Sequence, residues 1–509
     1  MEIFTNIPCI SIVLCLMSGV ICSVLNWKAA RIWTYTVNFL LACASFAVLV
    51  YTVSTGEAFV FRMGHFSAPW GNEIRAGVLE AVLAMFFSII MLFSLLAGSK
   101  HIEADVKESK RKYYYTLVNL MMSSLLALVY TNDIFTGYVF VEINTISACG
   151  LVDIKDDGQS VVASAKYMIM SLLGSGTFLI SICLLYDITG HLLMSDIKRA
   201  VGELLATGQY VEPFTMIISL MTIGLAIKSA LFPFHAWLPD AHTASTISSS
   251  SILSSLVLKA YIVLLIKIFY RAIGWENVLE AGINNIIFVF GIAAMIMGSV
   301  FAAAQKDVKR MVAYSSVAQI GYIFMGFGIG TTAGVIASLF HIFTHGAAKS
   351  MIFISLGGIK DVSHHSTLFK DIKGAGFRNK AAGIAFSVGA FSMIGIPLFP
   401  GFISKINYAQ AAIEVGHGKM VLILVTLAVS TILNCLYFFR ALIDLYTPTD
   451  IDEYESLDMY GEREKNPGFI KAAPLYVSAR CGFILLNFFI GIKCDLVLDL
   501  LSKGLGMFG

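Results

Sequence analysis

Seven ionisable residues stand inside long apolar stretches of this 509-residue chain, where charge is costly. Glu142 lies in YVFVEINTISACGL, Lys228 in IGLAIKSALFPF and Lys259 in ILSSLVLKAYIVLL. His341, His345 and Lys349 share LFHIFTHGAAKSMIF, and Lys405 closes GIPLFPGFISK. A charge at the centre of a bilayer costs about 2.5–3.5 kcal/mol on insertion scales, so seven would sum to roughly 20 kcal/mol. That exceeds the net stability of an ordinary fold, so pairing and internal water must offset most of it. His341, His345 and Lys349 are spaced by four and stack along one helix face. A buried lysine loses proton affinity to desolvation and regains it from a nearby carboxylate, so a Glu–Lys pair of changing separation can take up and release a proton. Histidine titrates near neutrality by itself. Such a row makes a proton path and a poor sodium site, which needs clustered oxygens.

Each group also has a structural alternative. Lys259 or Lys405 snorkels to an interface if its span is shifted by a turn. Glu142 could serve only to neutralise a lysine, and a lone His341 or His345 reads as a hydrogen-bonded core histidine. The His-x-x-x-His pair lacks a nearby Glu or Cys to complete a metal site, and Lys349 on the same face repels a cation. No metal is expected.

The elements that must hold these groups follow from composition. Apolar residues make up 57% and charged residues only 13%, with a mean hydropathy of +0.80 and a net charge of +2. Too few charges remain to clothe soluble domains, and no basic face exists to meet nucleic acid. The nine cysteines include no C-x-x-C pair, which argues against a zinc ribbon, a cysteine-ligated cluster or a disulfide framework. Windows of about 20 apolar residues recur throughout. Roughly fourteen are counted, at 5–26, 32–54, 76–98, 113–131, 134–152, 163–186, 213–232, 247–270, 284–304, 312–330, 333–357, 382–412, 419–441 and 474–497. They are continuous and long, unlike barrel strands, so the expected fold is an all-α polytopic membrane protein. The first window lacks a basic leader and a clear cleavage site and reads as a retained span.

Lys and Arg concentrate in alternate loops, with Lys28, Lys107, Lys110, Arg111, Lys155, Lys306, Lys309, Arg310, Lys360, Lys373 and Arg440 on one side. The other side holds chiefly Arg62, Arg75, Lys198, Arg199 and Arg271. The richer side is expected to be cytoplasmic, with both termini outside. The polar stretch 442–473 reads as a connector lying along the surface, and a serine run at 248–251 is the main low-complexity tract. Helix breakers accompany two of the charged spans: Pro233 follows Lys228, and Pro397 and Pro400 precede Lys405. Two interrupted helices about five spans apart are consistent with inverted repeats around a transport site, although a simple proline kink explains either one alone.

Six stretches carry a specific likeness: NDIFTGYVFVEINTIS (132–147), ASAKYMIMSLLGSGTFLI (163–180), IKSALFPFHAWLPDAH (227–242), QKDVKRMVAYSSVAQIGY (305–322), FHIFTHGAAKSMIFISLGGI (340–359) and FSMIGIPLFPGFISK (391–405). In this order they resemble the antiporter-like large membrane subunits of respiratory complex I, Mrp cation/proton antiporters and membrane-bound hydrogenases, over about residues 110–440. The resemblance implies fourteen core helices with two inverted five-helix repeats and two broken helices. The segments would be 1–110 (three helices), 111–272 and 273–441 (the repeats), and 442–509 (connector and last span). It implies that Glu142 pairs with Lys228, that Lys259 is the midpoint of a hydrated route, and that His341, His345 and Lys349 lead to Lys405.

Some positions depart from the family pattern. Val141 replaces the usual tryptophan, Thr-Ala-Ser-Thr follows His242 in place of Ala-Pro-Thr, and the double proline becomes Pro397-Leu398 with Pro400 added. None removes an ionisable group. Lys405 and the short C-terminus favour a D-type Mrp-like subunit, a hydrogenase-associated relative or an N-type complex I subunit. The implied function is proton translocation within a multisubunit redox-driven pump or an Mrp-type complex of the cell membrane. The alternatives are Na+/H+ antiport driven by an ion gradient, and a non-conducting structural subunit. Partners would be other membrane subunits, related antiporter-like chains among them, besides H+ (or Na+) and lipid. No cofactor is expected, since no nucleotide loop, cluster ligand set or haem signature occurs, so any oxidoreductase activity would reside elsewhere in the complex.

Overall fold

The computed structural model describes residues 2–66, 71–208, 210–448 and 474–508. Its N-terminal part holds α1 (Glu2–Val24), α2 (Trp27–Thr55), a hairpin of β1 (Phe59–Arg62) and β2 (Glu73–Ala76), and α3 (Val78–Asp105). There follow α4 (Glu108–Tyr130), α5 (Ile134–Asp153), α6 (Gly158–Thr189), α7 (Met194–Ala206), α8 (Val211–Lys228) and α9 (Trp237–Ala244). Next, α10 (Ile247–Ile252) and α11 (Leu258–Ile268) are joined by one π-helical turn, Leu253–Val257, and a second, Phe269–Ile273, leads to α12 (Trp275–Glu280). The remainder is α13 (Ile283–Ala303), α14 (Val308–Gly328), α15 (Thr332–Lys360), α16 (Ala375–Arg378), α17 (Lys380–Ile394), α18 (Pro400–Ile413), α19 (His417–Tyr446), α20 (Pro474–Ile492) and α21 (Cys494–Gly506).

Among the described residues, eleven helices are long and apolar enough to cross a membrane, or twelve if the bent pair α20–α21 counts as one. The chain is therefore a mostly helical, multi-pass membrane protein. Among the described residues one short two-stranded hairpin accompanies the helices, paired from Phe59↔Ala76 to Arg62↔Glu73. The window at 474–497 does not run straight: α21 turns 75° from α20. The connector read at 442–473 falls mainly outside the described residues, although α19 continues to Tyr446.

Helix starts are set by short polar side chains. Asp133 accepts from the Thr136 amide (2.6 Å), Asp307 from Arg310 (2.8 Å) and Thr331 from Gly334 (3.1 Å), each satisfying an amide with no partner inside its helix. Glycines bring some helices to backbone contact: a Cβ on Gly291 would meet the Met325 nitrogen at 2.4 Å, and one on Gly298 the Ala318 nitrogen at 2.5 Å, so α13 and α14 pack closely.

Burial sorts the helices into two sets. The stretch Ile247–Ile273 and α15 are buried along their whole apolar windows, whereas α1, α2, α6 and α19 bury well under half. The outer helices expose Ile32, Phe39, Ile180, Ile432 and Ile443, the apolar surface that hydrocarbon covers. The two enclosed segments carry Lys259, His341, His345 and Lys349. These four sites, which look costly by sequence, thus lie inside protein.

Candidate functional site

The first cluster forms where α8 ends. Lys228 is its last residue; Ala230 then takes φ of +55° and Pro233 follows in the irregular link to α9. The Lys228 ammonium reaches Oε1 of Glu142 on α5 at 3.3 Å and donates to the Thr145 hydroxyl at 2.6 Å. Glu142 and Thr145 are three residues apart, so one face of α5 supplies both acceptors. The Tyr261 ring lies 6.0 Å from the ammonium. The lysine side chain is wholly enclosed, while the glutamate keeps 24% of its side-chain surface. Glu142 borders a face of α5 on which Phe135, Val139 and Ile146 are exposed.

Lys259 follows the π-helical turn Leu253–Val257, and its ammonium donates to the Ser254 carbonyl. No carboxylate pairs with it among the described residues. On α15, His341 Nδ1 meets the Ser404 hydroxyl at 2.8 Å, its ring stacks on Tyr322 (5.3 Å) and the His345 ring lies parallel at 6.0 Å. Both ring nitrogens of His345 are buried without a hydrogen-bond partner. Lys349 donates to the Val312 carbonyl (2.7 Å) and the Ser315 hydroxyl. These three residues do share one face, and Ser404 ties it to the neighbour of Lys405.

Lys405 is placed by the second break. α17 stops at Ile394, Gly395 takes φ of +87° and Leu398 φ of +84°, and Pro397 lies between them. Pro400 begins α18, where its missing amide costs nothing. The break frees the Ile394 carbonyl, which accepts from the Lys405 ammonium; Thr431 Oγ1 accepts at 2.9 Å.

Other buried charges were missed in the sequence. Glu80 on α3 and Arg271 pair at 3.1 Å with side chains 3% and 4% exposed, and the guanidinium lies 4.8 Å from the Phe508 ring. Lys267 donates to the carbonyls of Leu128 (3.2 Å), Val129 (2.7 Å) and Thr131, the negative end of α4. Lys309 donates to Thr243 (3.2 Å) and Ser245 (2.6 Å). Arg271 and Lys309 thus correct the loop reading: both are buried and bound. Glu80 and Lys267 lie inside apolar windows, so their charge was the available signal; the two others fall just beyond window ends. His242, at the end of the PDAH stretch, is also fully buried. Among the described residues no group of three or more His, Cys, Asp or Glu side chains could hold a metal ion.

Outside the two enclosed segments, ion pairs tie helix ends together. Asp240 joins Lys166 (2.8 Å) and Arg310 (3.0 Å), linking α6, α9 and α14. Asp361, just past α15, meets Lys100 (3.2 Å) and His101 (3.3 Å). Burial raises the Asp361 carboxyl, but the hydrogen bonds and charges of His101 and Lys100 outweigh it and hold the group at about 2.

Lysines at two helix breaks and beside one π-helical turn, with two histidines and a further lysine on the enclosed helix α15, thus lie within a multi-pass helical membrane bundle. The chain belongs to the NADH:quinone oxidoreductase/Mrp antiporter transmembrane family, whose pattern matches residues 131–431. It is 30% identical over 423 residues to the N-type subunit of NADH-quinone oxidoreductase from Desulforudis audaxviator (strain MP104C), covering 81% of each chain. It is 25% identical over 396 residues to the D-type subunit of the Na(+)/H(+) antiporter from Alkalihalophilus pseudofirmus (strain ATCC BAA-2126 / JCM 17055 / OF4), covering 76% of this chain and 78% of the relative. The fold matches a chain of an archaeal respiratory membrane complex, the membrane-bound sulfane sulfur reductase, with a TM-score of 0.84 at 24% identity, over 100% of this chain and 97% of the other.

Proposed function

We propose that this chain is the proton-translocating subunit of a multisubunit redox-driven pump or Mrp-type antiporter complex. The observation that carries the reading is the Glu142–Lys228 pair at 3.3 Å, with the lysine enclosed and the glutamate partly open. Withdrawing or neutralising the glutamate removes the charge that favours the ammonium, and Lys228 releases its proton; restoring it recaptures one. Lys259, His341, His345 and Lys349 carry the proton on to Lys405. Moving one charge against 100 mV takes about 2.3 kcal/mol, so energy arrives from partner subunits. The opening at Glu142 supports this, because a carboxylate beside exposed Phe135, Val139 and Ile146 is costly against hydrocarbon and suited to burial under another membrane subunit.

The finer architecture belongs to the same proposal. Fourteen crossings result when α14, the broken pair α17–α18 and the bent pair α20–α21 join the eleven. Segments 111–272 and 273–441 are then inverted five-helix repeats, preceded by a three-helix segment (1–110) and followed by 442–509. The chain lies in the cell membrane with both termini outside, as the lysine and arginine bias supports.

The test is proton uptake by vesicles holding the purified complex. Lys228→Ala and Glu142→Ala are expected to abolish uptake while the complex still assembles. Normal uptake by both variants would refute the reading. Sodium-dependent pH changes without an electron donor would assign the energy source to an ion gradient instead.

A further inference from the structure

The Thr145 hydroxyl beside the Lys228 ammonium has its own proton committed elsewhere. Thr145 Oγ1 donates to the Val141 carbonyl, one turn back on α5, at 2.9 Å. A threonine hydroxyl carries a single proton, so that bond leaves only lone pairs for any other neighbour. Lys228 Nζ donates to the same oxygen at 2.6 Å, nearer than Oε1 of Glu142 at 3.3 Å. Thr145 and Lys228 are both fully buried, whereas Glu142 keeps part of its surface open. The closest polar contact of the lysine is thus to a neutral oxygen, on the enclosed side of the pair.

That commitment limits what the hydroxyl does. An ammonium offers three N–H donors, and a neutral amine offers two donors and a lone pair. Thr145 accepts from either form but has no proton to give to the lone pair of the amine. Glu142 and Thr145 are three residues apart, so both acceptors lie on one face of α5. With two of the tetrahedral N–H bonds aimed at that face, the third points off α5. The bond from the ammonium is stronger than the bond from the amine, because its donor carries the charge. Thr145 therefore favours the protonated lysine without being charged itself. Glu142 does so only while its carboxylate is close and ionised.

We propose that Thr145 is the positioning residue of the Lys228 site: it holds the nitrogen against α5 in both protonation states, so that the proton leaves along the N–H directed away from Glu142. When the carboxylate is withdrawn or neutralised, that N–H bond breaks and its electron pair stays on Nζ. The proton passes to a water on the side leading to Lys259. The amine keeps its bond to Thr145 Oγ1, with its new lone pair turned off α5, and recapture reverses the step. Without the hydroxyl, Glu142 alone would hold the nitrogen, and the group that triggers release would also fix its direction. The titratable groups around the site are Glu142 and Cys149 on α5, Tyr261 on α11 and, beyond Tyr261, Tyr167 on α6. This role rests on the proton-translocating reading and adds to it a group that never changes charge.

The test is the pH dependence of proton uptake by the reconstituted complex, for the native chain and for Thr145→Val, Thr145→Ser and Lys228→Ala. Thr145→Val keeps the shape and removes the hydroxyl. Its pH midpoint should move about one unit lower, because the ammonium loses an acceptor, and uptake at about pH 7 should fall about fivefold. Thr145→Ser, which keeps the oxygen, should retain both the midpoint and the rate. Thr145→Ala carries the same test if the valine variant does not assemble. Native behaviour of the valine variant would overturn the positioning role. So would a lower rate at an unmoved midpoint, or equal changes in the valine and serine variants, since the residue would then act through packing. Failure of both Thr145→Val and Thr145→Ala to assemble would make the hydroxyl structural and overturn it as well. Normal uptake by Lys228→Ala would instead refute the reading beneath it.

Discussion

The two broken helices hold their lysines in different company. At the first, Lys228 has a carboxylate at 3.3 Å and a hydroxyl at 2.6 Å. At the second, Lys405 has the Ile394 carbonyl and the Thr431 hydroxyl; Lys349, on unbroken α15, likewise has only neutral acceptors, the Val312 carbonyl and the Ser315 hydroxyl. Neutral acceptors satisfy the donors of an ammonium but supply no opposite charge to offset desolvation. The first site is therefore suited to holding a proton under control of a movable charge. The second is suited to receiving a proton and passing it on. Both use the same backbone device, a helix stopped near mid-span, and the side chain opposite decides the role.

The largest expected effect comes from removing the contrast at its source. Lys228→Ala should bring proton uptake to background, whereas Lys405→Leu should leave a measurable fraction, both read by pH-sensitive dye in vesicles. Equal losses would break the comparison. A buried pair outside either break sharpens it: Glu80→Gln leaves Arg271 enclosed without its carboxylate and should cost about 3–5 kcal/mol, seen as a lowered melting temperature in detergent. Giving the second site the first site's partner is a subtler change. Thr431→Glu would place a carboxylate beside Lys405 and should slow uptake several-fold by retaining its proton, with assembly preserved.

Smaller effects belong to the helix ends. The Asp361 carboxyl sits at about 2 in the fold, below its ordinary value of about 4, so its contribution is fully present above about pH 4 and is lost as pH falls through about 2. The melting difference between the native chain and Asp361→Asn should accordingly be smaller at about pH 3 than at about pH 5. The exposed partner, Lys100, should matter least: Lys100→Ala is expected to change stability by less than about 1 kcal/mol.

Much of the site was legible because charge inside an apolar window is conspicuous. Glu142, Lys228, Lys259, His341, His345, Lys349 and Lys405 stood out by that contrast, and the four-residue spacing predicted the shared face of α15. Glu80 and Lys267 carried the same signal nearer the window ends, where a charge can be mistaken for an interfacial one. Arg271 and Lys309 read as loop residues because nothing local tells a loop from a buried helix end. The run at 248–251 read only as low complexity, since a serine's role depends on what faces it.

Sequence alone determined that the chain is a helical membrane protein with ionisable groups at depth, because hydropathy and helical spacing are local properties. It also marked both breaks, since proline and glycine constrain their own backbone wherever they fall. Tertiary structure decided which acceptor each lysine meets, that α15 and the Ile247–Ile273 stretch are enclosed, and that α3 closes on α10 and α15. Those outcomes depend on residues tens to hundreds of positions apart, whose contacts no local pattern encodes.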